Sequence, residues 1–299
     1  MTTTRAPRRT VRRPFPLRIG HARIESRRIR YAIRGGDCTR PPLLIMNGLG
    51  ANIELAEPFI DALPGPTVAI FDVPGVGGSP TPPSPYRPSG VARIAAGLLD
   101  HLGHAQADVL GVSWGGAVAQ QFAFQYPSRC RRLVLAATVP GVLMIPGHPG
   151  ALMKMATPRR YQDGRHAHRI AGDVYGGVFR HKPELVAKTL RHVRFSSRGG
   201  YYLQLAAIFG WTSLPWLFTL RQPTLVMAGA DDPLIPTINA HIMRWLIPDA
   251  RLVILDCGHL FLVTQPAESA RIVEAFLTAP DARDRTAATT NASFSRRSE

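Results

Sequence analysis

The sequence predicts an α/β fold, with a mostly parallel eight-stranded sheet, helices on both faces and a helical cap inserted after the sixth strand. Short β-rich apolar runs alternate with helical patterns, which is typical of successive βα units. The later runs are almost continuously apolar, as expected for strands covered on both faces. Between about 140 and 220 no strand pattern is clear, so the chain is expected to leave the sheet there and then return to it.

Each strand is predicted from one apolar run. The eight runs lie near 17–24, 28–33, 43–47, 67–72, 108–112, 133–137, 224–228 and 252–256. Helical patterns lie near 55–63, 88–102, 115–125, 237–247 and 267–278. In the last of these, Ala270, Val273 and Phe276 share one apolar face. Pro127 is expected to end the helix that covers 115–125, because proline cannot continue a helix.

These elements predict one large domain with an insertion and two extensions. The core is expected to comprise 17–139 and 221–279, with the cap at 140–220. Aromatic residues and methionines are frequent in the cap, so we expect it to cover a site while also forming a small core of its own. The Arg-rich segment 1–16 and the polar tail 280–299 hold too few apolar residues to pack, and both are predicted to be disordered.

Composition excludes several classes of protein. The chain has 299 residues, 45% of them hydrophobic, which is enough for one sizeable core. It contains no uninterrupted apolar run of about 18 residues, so no transmembrane segment is predicted. The three cysteines, Cys38, Cys130 and Cys257, are far apart and form no CxxC motif. This pattern favours a reducing compartment and argues against a disulfide scaffold or a zinc site.

The net charge of +16 is concentrated at the amino terminus. The first forty residues carry twelve arginines against two acidic residues, Glu25 and Asp37. Such a segment is expected to be a solvated tail, and contact with an anionic surface is the alternative interpretation. It contains no nucleic-acid-binding motif, so no specific nucleic-acid partner is predicted.

A serine lies between the fifth predicted strand and the helix that follows it. The stretch Gly111-Val112-Ser113-Trp114-Gly115 matches G-x-S-x-G, a nucleophile elbow, in the expected strand-to-helix context. The tight turn makes the serine hydroxyl project clear of the sheet. Side chains at the second neighbours would collide in such a turn, which explains the two glycines. Ser113 is therefore predicted to be a nucleophile.

A nucleophilic serine needs donors for the oxyanion that its attack creates. The helix after the serine directs free N–H groups towards the site, and the N–H of Trp114 is one predicted donor. The second is expected in the loop after the third strand, which reads NGLG, and we assign it to the N–H of Leu49. The common version of this loop begins with histidine, whereas Asn47 occupies that position here. Because the donor is a backbone group, this change need not abolish function.

The remaining catalytic groups are expected in the order acid, then histidine. His259 follows the eighth strand and is predicted to be the base. Two adjacent aspartates follow the seventh strand, and Asp232 is preferred over Asp231 as the acid because it directly precedes Pro233, where the loop turns. Asp256 is closer to the histidine in sequence but is expected to end the last strand.

Other motifs are interpreted as structural. The glycine-rich stretch FDVPGVGGS is not G-x-G-x-x-G and opens no helix, so it predicts a turn near the mouth of the site rather than a dinucleotide site. His166 and His168 have no acidic partners at metal-ligand spacing. Cys257 lies near the predicted base, but we expect a small buried side chain rather than a reactive thiol. The sequence thus predicts neither a cofactor nor a metal.

Five stretches together resemble the α/β-hydrolase superfamily: NGLGAN, FDVPGVGGS, GVSWGG, GADDPLIP and DCGHLFLVT. Further stretches are similar to the intracellular medium-chain-length poly(3-hydroxyalkanoate) depolymerases of bacteria. They are GVSWGGAVAQQFA, YPSRCRRLVLAAT, TPRRY, VYGGVFR and GYYLQLAAIFGWTS. The resemblance runs from about 17 to 278. The cap stretches are its most specific part, because the catalytic residues are shared by many families.

The resemblance implies a serine hydrolase with Ser113, Asp232 and His259 as its triad. Its substrate would be a polyester, poly(3-hydroxyalkanoate), at the surface of cytoplasmic storage granules, and its products would be 3-hydroxy acids or oligomers. Granule-associated proteins are then conceivable partners. An esterase, lactonase or carbon–carbon bond hydrolase acting on a small soluble substrate would use the same triad and is the first alternative. A catalytically silent granule-binding or receptor module is the second, and the intact triad counts against it.

Overall fold

A computed structural model describes residues 16–190, 193, 195 and 197–280. The predicted eight-stranded sheet is confirmed, and its strand order is β1-β2-β4-β3-β5-β6-β7-β8. β2 pairs antiparallel with β1 and with β4, and the remaining neighbours are parallel. The strands are β1 (Arg18–Ile24), β2 (Arg27–Arg34), β3 (Leu43–Met46), β4 (Val68–Phe71), β5 (Ala107–Val112), β6 (Cys130–Ala136), β7 (Thr224–Gly229) and β8 (Ala250–Leu255).

The predicted helices of the core form on both faces of this sheet, and more helices lie in the insertion. The core helices are α1 (Glu57–Ala62), α2 (Pro88–His101), α3 (Trp114–Gln125), α9 (Thr237–Leu246), α10 (Phe261–Thr264) and α11 (Pro266–Thr278). Those of the insertion are α4 (Pro149–Met155), α5 (Arg159–Gln162), α6 (Gly164–Tyr175), α7 (Leu185–Leu190) and α8 (Arg198–Ile208). Proline occupies the first turn of α1, α2, α4 and α11, where a missing N–H costs no helical hydrogen bond.

The sixth strand begins at Cys130, earlier than the apolar run near 133–137 predicts. The two arginines near its start interrupt the apolar pattern, so the sequence does not indicate a strand there. Arg131 forms a two-pronged ion pair with Asp108 on β5, with distances of 2.9 and 2.6 Å. The guanidinium of Arg132 donates to backbone carbonyls at the end of α11. Strand pairing thus extends into a charged segment because Arg131 pairs with β5 and Arg132 with the end of α11.

Two hydrophobic cores cover the two faces of the sheet. One lies under α2, α3 and α9, and includes Val91, Phe122 and Met243. The other lies under α1, α10 and α11, and includes Phe59 and Phe276. β3, β4 and β7 are buried along their whole length, which is the burial that their continuously apolar sequences predict.

The segment 140–220, called the cap below, has a small core of its own. Its apolar cluster includes Ile170, Val174, Phe179 and Val186, and it continues onto Leu234 of the sheet domain. Other apolar residues of the cap lie outside this core. Met153 is 75% exposed and Phe209 is 79% exposed. The expectation that the aromatic and methionine side chains of this segment serve the cap core or the site therefore holds only for some of them.

The glycine-rich loop after β4 contacts the cap. Gly75 has φ +88° and lies against Gly200, the third residue of α8, so closely that a Cβ on Gly75 would be 2.6 Å from the Cα of Gly200. Asp72 holds this loop by accepting the N–H of Gly78 at 2.8 Å and an Arg30 hydrogen bond at 2.9 Å. The glycines thus permit close approach of two backbones.

Two further predictions concern the ends of the chain and the transmembrane segments. The expected disordered segments 1–16 and 280–299 lie outside the described residues, except for Pro16 and Pro280. Among the residues that the structure describes, no helix has both the length and the apolar character needed to cross a membrane.

Gly115→Ala should destabilise the fold strongly, because a Cβ there would collide with the carbonyl oxygens of Met46 and Asn47. We expect a loss of about 3 kcal/mol in the free energy of unfolding, as for overpacking against rigid backbone. Chemical denaturation measures it. The matched control is Gly164→Ala, also in the first turn of a helix, where no atom lies within 4 Å of the added Cβ. Equal unfolding midpoints for the two variants would contradict this interpretation.

Candidate active site

Ser113 occupies a strained turn where β5 ends and α3 begins. Its φ of 53° and ψ of −117° lie in a region that residues other than glycine rarely adopt. Its N–H donates to the carbonyl of Ala136 at 2.9 Å. Its own carbonyl accepts from the hydroxyl of Thr138 at 2.7 Å and from the N–H of Gly116 at 2.9 Å. The neighbouring strand β6 and the loop after it therefore hold the backbone of the turn on both sides.

His259 and Asp232 form a buried pair. His259 Nδ1 and Asp232 Oδ2 are 2.7 Å apart, and the two residues are only 5% and 8% exposed. A carboxylate can only accept, so the Nδ1 atom carries a proton, and in the neutral tautomer of the ring Nε2 then keeps a lone pair. The second oxygen of Asp232 accepts the N–H groups of Leu234 and Ile235 at 2.9 and 3.0 Å. The N–H of His259 donates to the carbonyl of Tyr175 at 2.7 Å. Carboxylate and ring are thus fixed by several contacts.

Asp231 has a different environment from its neighbour. It receives two hydrogen bonds from Arg180, at 2.6 and 2.7 Å, and the N–H of Gly177 at 2.6 Å. The hydrogen bonds from Arg180 hold the pKa of the Asp231 carboxyl below its usual value. Arg180 and Gly177 belong to the cap, so Asp231 joins the cap to the sheet domain, whereas Asp232 contacts the histidine. Asp256 directly follows β8, as expected.

Ser113 and His259 line one small cavity, of about 60 Å³, beneath the cap. Leu49 lines it as well, and the loop that carries Leu49 passes close to the serine. A Cβ on Gly48 would be 3.5 Å from the Cβ of Ser113. The N–H of Trp114 is in the first turn of α3, where no intrahelical acceptor exists. Both N–H groups assigned from the sequence thus belong to segments that meet at Ser113.

The cap supplies one wall of this cavity. Its contribution is mostly apolar and aromatic, from Met155, Arg160, Tyr161, Tyr175 and Leu190. The sheet domain contributes further apolar side chains, among them Ile45, Phe59 and Leu262. Such a lining suits an apolar group held beside a few polar atoms.

A larger groove adjoins the cavity. It has a volume of about 940 Å³ and lies between the cap, at Val178 and Leu185, and the sheet domain, at Pro58. Leu55 and Val263 line both the groove and the cavity, so the two spaces adjoin at these side chains. The groove is open to the surface, and its larger volume can hold more of a substrate than the cavity can.

Cys257 is a structural residue, as predicted. Its side chain is 6% exposed and belongs to the hydrophobic core. Burial, with a smaller effect of Asp232 and Asp256, raises the pKa of its thiol to about 12. The thiol is therefore protonated at neutral pH and is a poor nucleophile. Among the described residues, no three His, Cys, Asp or Glu side chains are grouped to hold a metal ion.

Two side chains at the site, Arg160 and Gln204, are not apparent from sequence reasoning. Arg160 is 2% exposed and its guanidinium lies 4.3 Å from the centre of the Tyr161 ring. Gln204 is fully buried beside the loop of Leu49. The stretch TPRRY was notable only for its resemblance to a family. Nothing in it distinguishes a buried arginine from the many exposed ones, because the contacts come from residues far away in the sequence.

Comparison with known proteins agrees with this architecture. The family model of the alpha/beta hydrolase fold matches residues 41–266. A poly(3-hydroxyalkanoate) depolymerase of Ectopseudomonas oleovorans is 52% identical over 265 residues, which are 88% of this chain and 94% of that protein. The 3-oxoadipate enol-lactonase 2 of Acinetobacter baylyi is 29% identical over 81% of this chain and 90% of its own length.

A solved enol-lactonase from Burkholderia xenovorans LB400 superposes with a TM-score of 0.74 at 24% identity, covering 87% of this chain and 100% of its own. That likeness concerns the fold alone, whereas the 52% identity to the depolymerase holds over 88% of this chain. The chain belongs to the α/β-hydrolase superfamily and, within it, to the poly(3-hydroxyalkanoate) depolymerases.

Proposed function

We propose that this protein is a serine hydrolase that cleaves the ester bonds of medium-chain-length poly(3-hydroxyalkanoate) and releases 3-hydroxy acids or oligomers. The observation that carries the proposal is the buried His259–Asp232 pair at the same cavity as the strained Ser113. It occurs in a chain that is 52% identical over 265 residues to a poly(3-hydroxyalkanoate) depolymerase. Ser113 is the nucleophile, His259 the base and Asp232 the acid.

The reaction follows from these roles. Ser113 Oγ attacks the ester carbonyl while His259 Nε2 takes the hydroxyl proton. Asp232 holds the ring in the tautomer that leaves Nε2 free, and it stabilises the imidazolium that forms. The N–H groups of Leu49 and Trp114 donate to the oxyanion. When the intermediate collapses, the carbon–oxygen bond breaks, His259 returns the proton to the leaving alcohol, and the acyl group stays on Ser113.

The second half of the reaction repeats the first with water. His259 deprotonates a water molecule, which attacks the acyl-enzyme carbonyl. Collapse of this second tetrahedral intermediate restores the Ser113 hydroxyl, which takes the proton back from His259. The products are a carboxylic acid and the alcohol end released in the first step. No group besides side chains, backbone and water is required.

Two features support a polymeric substrate. The cavity at Ser113 is small, whereas the adjoining groove is large and open, so a long chain can lie in the groove while one ester unit reaches the serine. The apolar lining of the cavity, with Met155 and Leu190 from the cap, suits alkyl side chains. The preference for medium-length side chains and the location on cytoplasmic granules rest on the resemblance of the cap stretches, and granule-associated proteins are proposed as partners on the same ground.

A small soluble ester, lactone or carbon–carbon substrate remains the alternative, since relatives at about 29% identity include an enol-lactonase. The triad cannot distinguish it, because the chemistry of Ser113 is the same for all of these substrates. A catalytically silent module is disfavoured by the intact His259–Asp232 pair. The direct test is therefore made with polymer.

Acid release from amorphous granules should depend on Ser113 and on side-chain length. We expect the wild type to degrade a polyester with long alkyl side chains much faster than one with methyl side chains, and Ser113→Ala to degrade neither. Titration of released acid measures the rate, and circular dichroism checks that the variant is folded. Cleavage of soluble esters without release from either polymer would assign the protein to esterases of small substrates.

The two neighbouring aspartates should differ sharply in their effect on rate. Asp232→Asn gives the histidine the wrong tautomer, and we expect kcat to fall by about a thousandfold or more. Asp231→Asn, the matched control, removes only a half-exposed ion pair with Arg180 and should change kcat by less than about threefold. Initial rates on a soluble nitrophenyl ester measure both. The reverse order would move the acid role to Asp231.

A bulky residue in the groove should hinder the polymer more than a small substrate. Val178 lines the groove and is 36% exposed, so Val178→Trp narrows the groove without entering the cavity. We expect polymer degradation to fall at least about fivefold while hydrolysis of a short soluble ester stays within about twofold. Val142→Trp is the matched control, because Val142 is an exposed cap residue that lines neither space. Equal loss on polymer for both variants would exclude the groove as the polymer path.

A further inference from the structure

The cap contacts the loop that carries one proposed oxyanion donor. The carbonyl of Leu49 accepts the Tyr161 hydroxyl at 2.8 Å and an Arg160 N–H at 3.3 Å. The N–H of Gly50 donates to the side-chain oxygen of Gln204 at 2.7 Å. Tyr161 lies on α5 and Gln204 on α8, so two separate cap helices hold this one loop.

These contacts fix the orientation of one peptide group. The Leu49 carbonyl and the Gly50 N–H belong to the same planar peptide, and each end of it is held by a cap side chain. Rotation of that peptide would break both hydrogen bonds. Holding this peptide fixes ψ of Leu49 and anchors the Leu49 Cα, to which the preceding peptide, the one that carries the Leu49 N–H, is joined. The turn at Gly50 has a φ of +70°, which glycine adopts without strain. Glycine also leaves room for the cap, because a Cβ there would be 2.6 Å from the Tyr161 ring.

The same cap residue also contacts the segment of the second donor. The backbone carbonyl of Gln204 accepts the indole N–H of Trp114 at 2.8 Å. Trp114 follows the nucleophile and carries the other proposed donor on its backbone. Gln204 is fully buried, and thus links both donor segments to α8 at a single point.

Arg160 sets the direction of the tyrosine hydroxyl. Its guanidinium donates to the Tyr161 oxygen at 3.2 Å and to the Tyr201 oxygen at 2.6 Å, and it can only donate. The Tyr161 oxygen therefore accepts from Arg160 and directs its own proton to the Leu49 carbonyl. Arg160 also lies 4.3 Å from the centre of the Tyr161 ring, which holds the ring in place.

We propose that Tyr161 and Gln204 are positioning residues for the oxyanion site, and that the cap sets the geometry of both donors. The proposal rests on the proposed function, because it takes the N–H groups of Leu49 and Trp114 as the donors. A positioning role and a purely structural contact between cap and core predict different kinetic effects. Misplaced donors weaken only the interaction with a negatively charged oxygen, which exists in the transition state and not in the bound ester.

The test compares an ester with its thionoester, in which sulfur replaces the carbonyl oxygen. Sulfur accepts hydrogen bonds poorly, so a well-formed oxyanion site favours the oxygen compound. In the full chain, Tyr161→Phe and Gln204→Met should lower kcat on the soluble ester about tenfold, less than the loss of a donor itself would. KM should stay within about twofold, because ground-state binding is unchanged. The ratio of ester to thionoester rates should fall by about the same factor as kcat.

The matched control is Tyr202→Phe. Tyr202 lies on α8, is 47% exposed and contacts the Tyr201 ring edge-on, so its rates and its rate ratio should equal those of the wild type. Equal loss on ester and thionoester in Tyr161→Phe, with an unchanged ratio, would overturn the proposal and leave these residues as adhesion contacts. An unchanged kcat would overturn it as well.

Failure of the proposed function gives a different result. Retention of hydrolysis by Ser113→Ala would reject the nucleophile itself, whatever the cap variants do. If Gln204→Met fails to fold because the Gly50 N–H loses its acceptor, Tyr161→Phe still decides the proposal, since it removes a single hydroxyl and keeps the ring.

Discussion

The strained backbone at Ser113 is the constraint on which the site depends. A non-glycine residue at a φ of 53° costs on the order of 1 to 3 kcal/mol and persists only when its surroundings impose it. Here the carbonyl of Ala136 and the hydroxyl of Thr138 hold its backbone from the side of β6. Gly115 lets the helix approach the backbone of the third strand. Without this turn the serine hydroxyl would lie within the sheet and not above it.

The other functional groups converge on this turn because parallel strands end at the same edge. The loops after β3, β5, β7 and β8 supply Leu49, Ser113, Asp232 and His259 respectively. Burying a carboxylate is costly unless its oxygens are satisfied, and Asp232 is stabilised by two N–H groups and by the histidine. Asp231, one residue earlier, faces the surface and pairs with Arg180 instead. The two adjacent aspartates thus have different partners, Asp232 the histidine and Asp231 the arginine.

The cap contacts the sheet domain at several places around the site. It closes the cavity with Met155 and Tyr161, forms a wall of the groove with Val178, and is joined to the sheet domain through Asp231. Its contacts with the Leu49 carbonyl extend to the proposed donors. A buried guanidinium is stable in this position because four oxygen acceptors and two aromatic rings surround Arg160. On the proposed function, specificity and catalysis share a structural element, and substitutions in the cap are expected to alter both.

The sequence by itself determined what depends on local pattern. Apolar runs and helical periodicity predicted the eight strands and the core helices, and the spacing around Ser113 identified the elbow. Chain order alone pointed to His259 and to the aspartate pair. The tertiary structure decided the contacts between residues that no local pattern relates. The start of β6 depends on contacts of its two arginines with Asp108 and with the end of α11. The contact of Asp232 with the histidine depends on the conformation of the loop after β7. Arg160 and Gln204 contact the Leu49 loop only once the cap lies against the sheet domain. Such contacts join residues 23 to 154 positions apart, and no local pattern records them.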